Sequence, residues 1–113
     1  MEFWFSEFHT PDVKHSIRVN KQLYSKQSDY QRIDIFETPE FGRVLTLDGN
    51  VMLTERDEFI YDEMIVHVPM AVHREAKDIL VIGAGDGGVV RELTRYDLSL
   101  IHISEPTRRR GIS

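Results

Sequence analysis

The chain of 113 residues has no cysteine, which excludes disulfide bridges and thiolate metal sites. That fits a cytoplasmic protein, where thiols stay reduced. It also has no run of 18 apolar residues, the least that a membrane-spanning helix needs. The opening MEFWFSEF carries acids where a signal peptide has a basic segment and an apolar core, so it does not read as one. Basic residues are scarce as well: 14 Lys and Arg stand against 19 Asp and Glu, a net charge of −5. A nucleic-acid partner calls for a basic face, so none is expected. An acidic balance suits a small polycation instead. The five histidines (His9, His15, His67, His73, His102) show no ligand spacing, and we read them as structural or surface residues with no metal bound. No G-x-S-x-G nucleophile elbow occurs. What remains, 41% hydrophobic and 29% charged, is the composition of a soluble globular protein with room for about one domain.

The first half reads as a small antiparallel β unit. Residues 3–8 are short, aromatic and strand-like, and Thr10-Pro11-Asp12 ends them as a turn. Residues 16–19 alternate as a second strand, whereas 21–29 are polar and carry no helical stripe. In 31–37 the period of two puts Ile33 and Ile35 on one face of a half-buried strand. Residues 38–42 form a loop and 43–47 the returning strand. Asp48-Gly49 then signals a two-residue hairpin, completed by 51–54. From Asp57 the period changes to that of a helix, with Phe59, Ile60, Met64, Ile65, Val66 and Val68 as its apolar positions. Asp57 and Glu58 lie in the first turn, where the helix dipole favours acids, and Thr54 or Asp57 is placed to cap it. Pro69 should kink or end that helix.

The stretch 76–93, AKDILVIGAGDGGVVREL, organises the rest. Four consecutive apolar residues, Ile79-Leu80-Val81-Ile82, suit a parallel strand buried on both faces. Glycines at 83, 85, 87 and 88 follow, and then a helix begins at Val89. Strand, Gly-rich turn and helix are the context in which G-x-G-x-x-G (Gly83, Gly85, Gly88) binds a ligand at a helix N-terminus. Asp86 sits inside the loop, where a pyrophosphate would meet an opposing charge. A dinucleotide is therefore disfavoured and a ligand with a cationic part is favoured. The alternative is that Asp86 only caps the helix, which Asp does well.

The stretches LTLDGNVMLTERDEFIYDEMIVHVP (45–69) and VIGAGDGGVVREL (81–93), with Tyr30-Gln31 before them, resemble the spermidine synthase family of aminopropyltransferases. The likeness covers nearly all of residues 2–97 in order and spacing. It implies an α+β to α/β fold: an N-terminal antiparallel β domain over 1–54, a connecting helix over 55–75, and over 76–97 the first βα unit of a Rossmann-like adenosylmethionine-binding domain. It further implies transfer of an aminopropyl group from decarboxylated S-adenosylmethionine to putrescine, releasing spermidine and methylthioadenosine. The donor is a co-substrate, and no cofactor is bound permanently. Both ligands are cationic, and carboxylates hold ammonium groups by charge-assisted hydrogen bonds. By resemblance Asp86 binds the aminopropyl amine, Gln31 the nucleoside or thioether part of the donor, and Tyr61 lines the acceptor groove. Gly83, Gly85, Gly87 and Gly88 cradle the donor. Asp62 departs from the family pattern, which has His or Gln there; we expect it to face the ligand and to tolerate or strengthen diamine binding. The family also implies a homodimer or homotetramer for the full-length protein. Two other readings are a methyltransferase of the same Rossmann-like class and a non-catalytic β module for oligomerisation.

Past Asp97 the family pattern stops. Residues 98–108 resemble the translation of a transposon-end sequencing adapter, so 98–113 read as a non-native tail and are set aside from fold reasoning. Glu105 falls about 20 residues past the loop, where a ribose-binding acid belongs, but it lies within that tail. The rival reading of the tail is a true basic segment at Arg108-Arg109-Arg110. The family's proton-accepting Asp would lie beyond this sequence, so no residue here is assigned as catalytic. A lone βα unit leaves the strand at 79–82 without parallel neighbours, and an unpaired apolar strand promotes aggregation. The chain as written should be poorly soluble and inactive; light scattering that finds a monodisperse monomer, together with cooperative melting, would contradict this.

Overall fold

A computed structural model of the protein describes residues 1–104. Glu105 and Arg108-Arg109-Arg110 lie outside the described residues. The chain divides into two units, Met1–Glu58 and a second that begins at Phe59.

The first unit is all antiparallel strand. β1 (Phe3–Thr10) and β2 (Val13–Val19) form one hairpin, with Phe5 opposite Ile17 and Ser6 opposite Ser16. The two serine hydroxyls share a hydrogen bond of 2.8 Å. β3 (Lys21–Gln27), β4 (Arg32–Thr38), β5 (Gly42–Leu47) and β6 (Asn50–Thr54) make a second sheet in that order. β3 was not foreseen from the sequence. Every residue in it is exposed, so it carries no apolar alternation, and only pairing with β4 makes it a strand. The Asp48-Gly49 hairpin forms as expected. Both central residues have positive φ, 52° and 80°, which a tight β5–β6 turn requires and which Gly tolerates without strain. The two sheets meet at Phe5 and Phe36, whose ring centroids are 5.2 Å apart. Val51 also donates its backbone N–H to Glu7 Oε2 at 2.6 Å.

The interior of this unit is unusually polar. Ile17, Val19 and Val44 are buried, but so are Thr38, Thr46, Thr54 and Asp34, while Ile33 and Ile35 are only half-buried. Asp34 tolerates burial because its carboxylate is fully engaged. It accepts from Gln22 Nε2 and from Arg32 Nε, each at 2.9 Å. Burial alone pushes the Asp34 carboxyl up, but hydrogen bonds from Ser25, Arg32 and Gln22, with the charge of Arg32, outweigh that and hold it below the usual range. A depressed folded-state value stabilises the fold above the ordinary aspartate range and loses that contribution as pH falls through it. Asp34→Asn should therefore lower unfolding free energy by about 1–3 kcal/mol near neutrality and by less in acid. Urea denaturation at pH 7 and pH 3 checks both the size and the direction.

The second unit is a β–α–β arrangement behind a helix. α1 (Glu58–Val72) spans the unit boundary and leads to β7 (Asp78–Ile82), α2 (Gly88–Leu93) and β8 (Leu100–Ser104). Just before α1, the Thr54 hydroxyl hydrogen-bonds the Asp57 carboxylate. Pro69 does not end the helix. It lies one turn from the C-terminus, and His73 still donates to the Pro69 carbonyl at 2.8 Å. α1 is apolar on several faces, so periodicity could not tell which one is covered. The buried stripe is Asp62, Val66 and Met70, and Phe59, Ile60, Met64, Ile65 and Val68 are exposed. Val66 and Met70 pack with Val81 of β7 and Leu93 of α2 to form the core. β7 is not unpaired: β8 runs parallel to it, with Asp78 opposite Leu100 and Ile82 opposite Ser104. β8 falls within the stretch set aside on sequence grounds. Val81 of β7 is buried while Leu80 and Ile82, pointing the other way, are exposed, so this short sheet is covered on one face.

Candidate ligand-binding site

β7 ends at the Gly-rich loop, and the loop's shape follows from its backbone. Gly83, Ala84 and Gly87 all have positive φ, at 85°, 60° and 86°. Ala84 holds this conformation despite its Cβ, a local strain of order 1 kcal/mol. Gly83 donates its N–H to the Ser104 carbonyl at 2.8 Å, which extends the β7–β8 ladder by one bond. Gly85 and Asp86 form the exposed tip, and Gly87 donates to the Ala84 carbonyl at 3.1 Å. Gly87 is the N-cap of α2, and no side chain makes a capping hydrogen bond there. Asp86 is therefore not the helix cap. Gly88 has a different task. A Cβ at this position would lie 2.0 Å from Asp62 Oδ2, so only glycine lets α2 begin against α1.

A cavity of about 320 Å³ opens beside the loop. Its walls are apolar: Ile65, Val66, Pro69 and Met70 from α1, the four residues 79–82 of β7, Ala84, and Val89 and Leu93 from α2. Two polar side chains reach it, Tyr61 and Asp86, and both are exposed. An apolar hollow with one carboxylate and one phenol at its rim suits a ligand that combines an alkyl or aryl body with an ammonium group. Asp62, expected to face the ligand, is not on the cavity wall. It is 3% exposed, accepts from Arg91 Nη2 at 3.3 Å, and has a carboxylate oxygen within 4.8 Å of one on Asp86. The structure thus gathers Tyr61, Asp62, Asp86 and the loop glycines in the second unit. Gln31 belongs to the first unit. It precedes β4, half-buried, and its backbone closes a turn with Ser28: Ser28 N–H donates to Gln31 O at 2.8 Å and Gln31 N–H to Ser28 Oγ at 3.0 Å.

A buried ion network that the sequence did not reveal supports this site. Glu92 on α2 is 1% exposed. It accepts from His67 Nε2 at 2.9 Å and Arg91 Nε at 3.1 Å, and pairs with Arg95 Nε at 3.4 Å. The His67 hydrogen bond holds the Glu92 carboxyl below the ordinary glutamate range, against the opposing pull of burial; Arg91 and Arg95 add to it. His67 Nδ1 and the Tyr96 hydroxyl lie 2.6 Å apart, which suits a ring that donates through Nε2 and accepts from the phenol. His67 thus links α1 to Glu92 and Tyr96 through both ring nitrogens. Nothing in the local pattern marked Glu92 as buried, since Arg91-Glu92 reads as an ordinary charged pair on a helix. Gly88→Ala should destabilise the second unit by about 1–3 kcal/mol, because the new Cβ meets a side chain that is itself held in place. A guanidinium titration monitored by circular dichroism checks this, and adding Asp62→Ser should recover part of the loss.

Comparison with known proteins agrees with this geometry. Residues 3–55 match the family model described as the spermidine synthase tetramerisation domain, and residues 58–105 match the spermine/spermidine synthase domain. A polyamine aminopropyltransferase from Lachnospira eligens is 64% identical over 97 residues, covering 86% of this chain and 34% of that protein. One from Clostridium botulinum (strain Alaska E43) is 66% identical over 96 residues, covering 85% of this chain and 34% of its own length. Among solved structures, spermidine synthase from Thermotoga maritima superimposes with a TM-score of 0.83 at 47% identity over 91% of this chain and 37% of that one. A spermidine synthase in complex with the transition-state analogue AdoDATO gives a TM-score of 0.84 at 47% identity, over 91% of this chain and 36% of that one. The chain spans about a third of the length of the curated relatives it matches. With an antiparallel β unit, a βαβ unit around a G-x-G-D-G-G loop, and these matches across both, the chain belongs to the spermidine synthase family of polyamine aminopropyltransferases.

Proposed function

We propose that this chain forms the N-terminal β unit and the donor-binding loop of an aminopropyltransferase. The enzyme moves an aminopropyl group from decarboxylated S-adenosylmethionine to putrescine, giving spermidine and methylthioadenosine. The observation that carries this reading is Asp86: an exposed carboxylate on the wall of an apolar cavity, in a loop whose helix is capped by Gly87 and not by Asp86. Asp86 binds the primary amine of the donor, which holds the aminopropyl chain so that its sulfur-bound carbon is open to the attacking amine, the C–S bond breaking to release methylthioadenosine. Tyr61, on the same cavity wall, lines the groove for the diamine. Asp62 takes part through its closeness to Asp86, and the open space beside Gly83 and Gly87 lets the donor approach the backbone. Gln31 holds the nucleoside or thioether portion of the donor. No described residue is assigned as the base that deprotonates the attacking amine.

The reaction itself explains why an acidic site is wanted. Decarboxylation leaves the donor with a sulfonium and an ammonium and no carboxylate, so a negatively charged cradle selects it over S-adenosylmethionine. The first unit serves assembly in this reading, because its family model is named for tetramerisation and because Phe3, Trp4 and Phe8 of β1 are exposed. Homodimers or homotetramers would bury them.

Calorimetric titration with decarboxylated S-adenosylmethionine tests the assignment. The full-length enzyme that contains this segment should bind it and discriminate against S-adenosylmethionine, and Asp86→Asn within it should weaken binding by at least about tenfold, the value of one lost charge-assisted hydrogen bond. Equal affinity of Asp86→Asn and wild type would remove Asp86 from the site.

A further inference from the structure

We infer that Ala84 is a positioning residue for donor binding: its methyl group, held at positive φ against the core, confines the loop so that Asp86 is presented to the ligand's ammonium group. The inference rests on the reading of Asp86 as the group that binds that ammonium.

Among the described residues other than glycine, Asp48 and Ala84 have positive φ, and Ala84 stands at 60°. Asp48 opens a hairpin turn, where Asp before Gly is at home. Alanine has no such aptitude. In the left-handed region its Cβ crowds the following carbonyl, a conformation that glycine takes without strain. Gly83 and Gly87 have the residue type that suits this backbone, and Ala84 does not. A strained residue persists only where its surroundings hold it. Contact holds Ala84: half-buried, it packs against the core of Val66, Met70, Val81 and Leu93 and lies on the wall of the cavity.

The strained residue sits where it governs Asp86. The Ala84 carbonyl accepts the Gly87 N–H at 3.1 Å, which closes a tight turn with Gly85 and Asp86 as its central residues. The backbone angles of Ala84 aim that carbonyl, so a rotation there tilts the turn and moves the Asp86 carboxylate. At the far end Gly87 caps α2, so the helix fixes the turn from one side and Ala84 from the other. At positive φ alanine has one narrow well, whereas glycine ranges over positive and negative φ about equally. The methyl group therefore removes loop shapes that a glycine would populate. A larger fraction of molecules then has Asp86 already placed on the cavity wall, and apparent affinity scales with that fraction. The methyl offers no hydrogen bond and takes no part in the chemistry; it acts through Asp86.

The test uses the full-length enzyme that contains this segment, as wild type, Ala84→Gly, Asp86→Asn and the double variant. Calorimetry gives the affinity of each for decarboxylated S-adenosylmethionine and for methylthioadenosine, which lacks the aminopropyl group. Ala84→Gly fits the backbone without strain and should fold. It should bind the donor about two- to fivefold more weakly, the value of the backbone freedom that a glycine adds. Its affinity for methylthioadenosine should stay close to wild type, because that ligand makes no bond to Asp86. In the Asp86→Asn background, Ala84→Gly should have no further effect on donor binding. Amide exchange at Gly87 should quicken in Ala84→Gly, since its bond to the preceding carbonyl is then made less of the time. Donor affinity equal to wild type in Ala84→Gly would overturn the inference, as would an equal loss for both ligands, which marks a packing role alone. Asp86→Asn that binds the donor as tightly as wild type would sink the proposed function and this inference with it. A loss in Asp86→Asn without one in Ala84→Gly would sink the inference alone.

Discussion

Glu92 is a carboxylate taken almost entirely out of water, and the second unit is arranged around keeping it satisfied. Burying one ion without partners costs several kcal/mol, so a fold that contains one must supply them. Here they come from His67 of α1, Arg91 of α2 and Arg95 just past the C-terminus of α2. α2 has only six residues, far too few to persist as an isolated helix. Its position depends on the cross-helix hydrogen bond between Glu92 and His67, on the Leu93 contact with the core, and on Gly88 letting the chain start flush against Asp62. Because the loop 83–87 is strung between β7 and α2, whatever fixes α2 also fixes Asp86.

The loop divides work between two acids that lie close together. Gly87 caps α2 through its backbone, which leaves Asp86 facing outward on the cavity wall. Asp62, four residues ahead of Val66 on the buried stripe of α1, is turned inward and met by Arg91. An Asp at 62 by itself would add a negative charge beside Asp86, but here it is paired with a guanidinium, so the net charge there changes by less than the residue type suggests.

The first unit solves a similar problem with a different device. Its interior is small and holds Thr38, Thr46, Thr54 and Asp34 beside Ile17, Val19 and Val44. Short polar groups there bond to near neighbours across the strands, as Thr38 does to the Gly42 carbonyl and Asp34 to Gln22 and Arg32. This keeps buried polar atoms partnered without a large apolar core. The aromatics that such a core would use, Phe3, Trp4 and Phe8, are on the outside of β1 instead.

Much of the architecture was legible in the residues themselves. The Asp48-Gly49 turn, the apolar run before the Gly-rich loop, the helix after it and the placement of Asp86 are all set by interactions within a few positions of one another. Turn type, local period and glycine's access to positive φ act at that range, so the sequence alone determined them, and the family resemblance followed from the same stretches. Tertiary structure decided the rest. β3 exists only because β4 lies beside it, α1 is apolar on so many sides that contact with β7 and α2 had to choose its inner face, and Pro69 is tolerated inside it. The burial of Asp62 and Glu92, and the guanidinium that joins them, depend on groups 25 and 29 residues apart being brought together. Charge pairing across such a separation leaves no trace in local periodicity, because each partner by itself looks like a solvated residue on a helix.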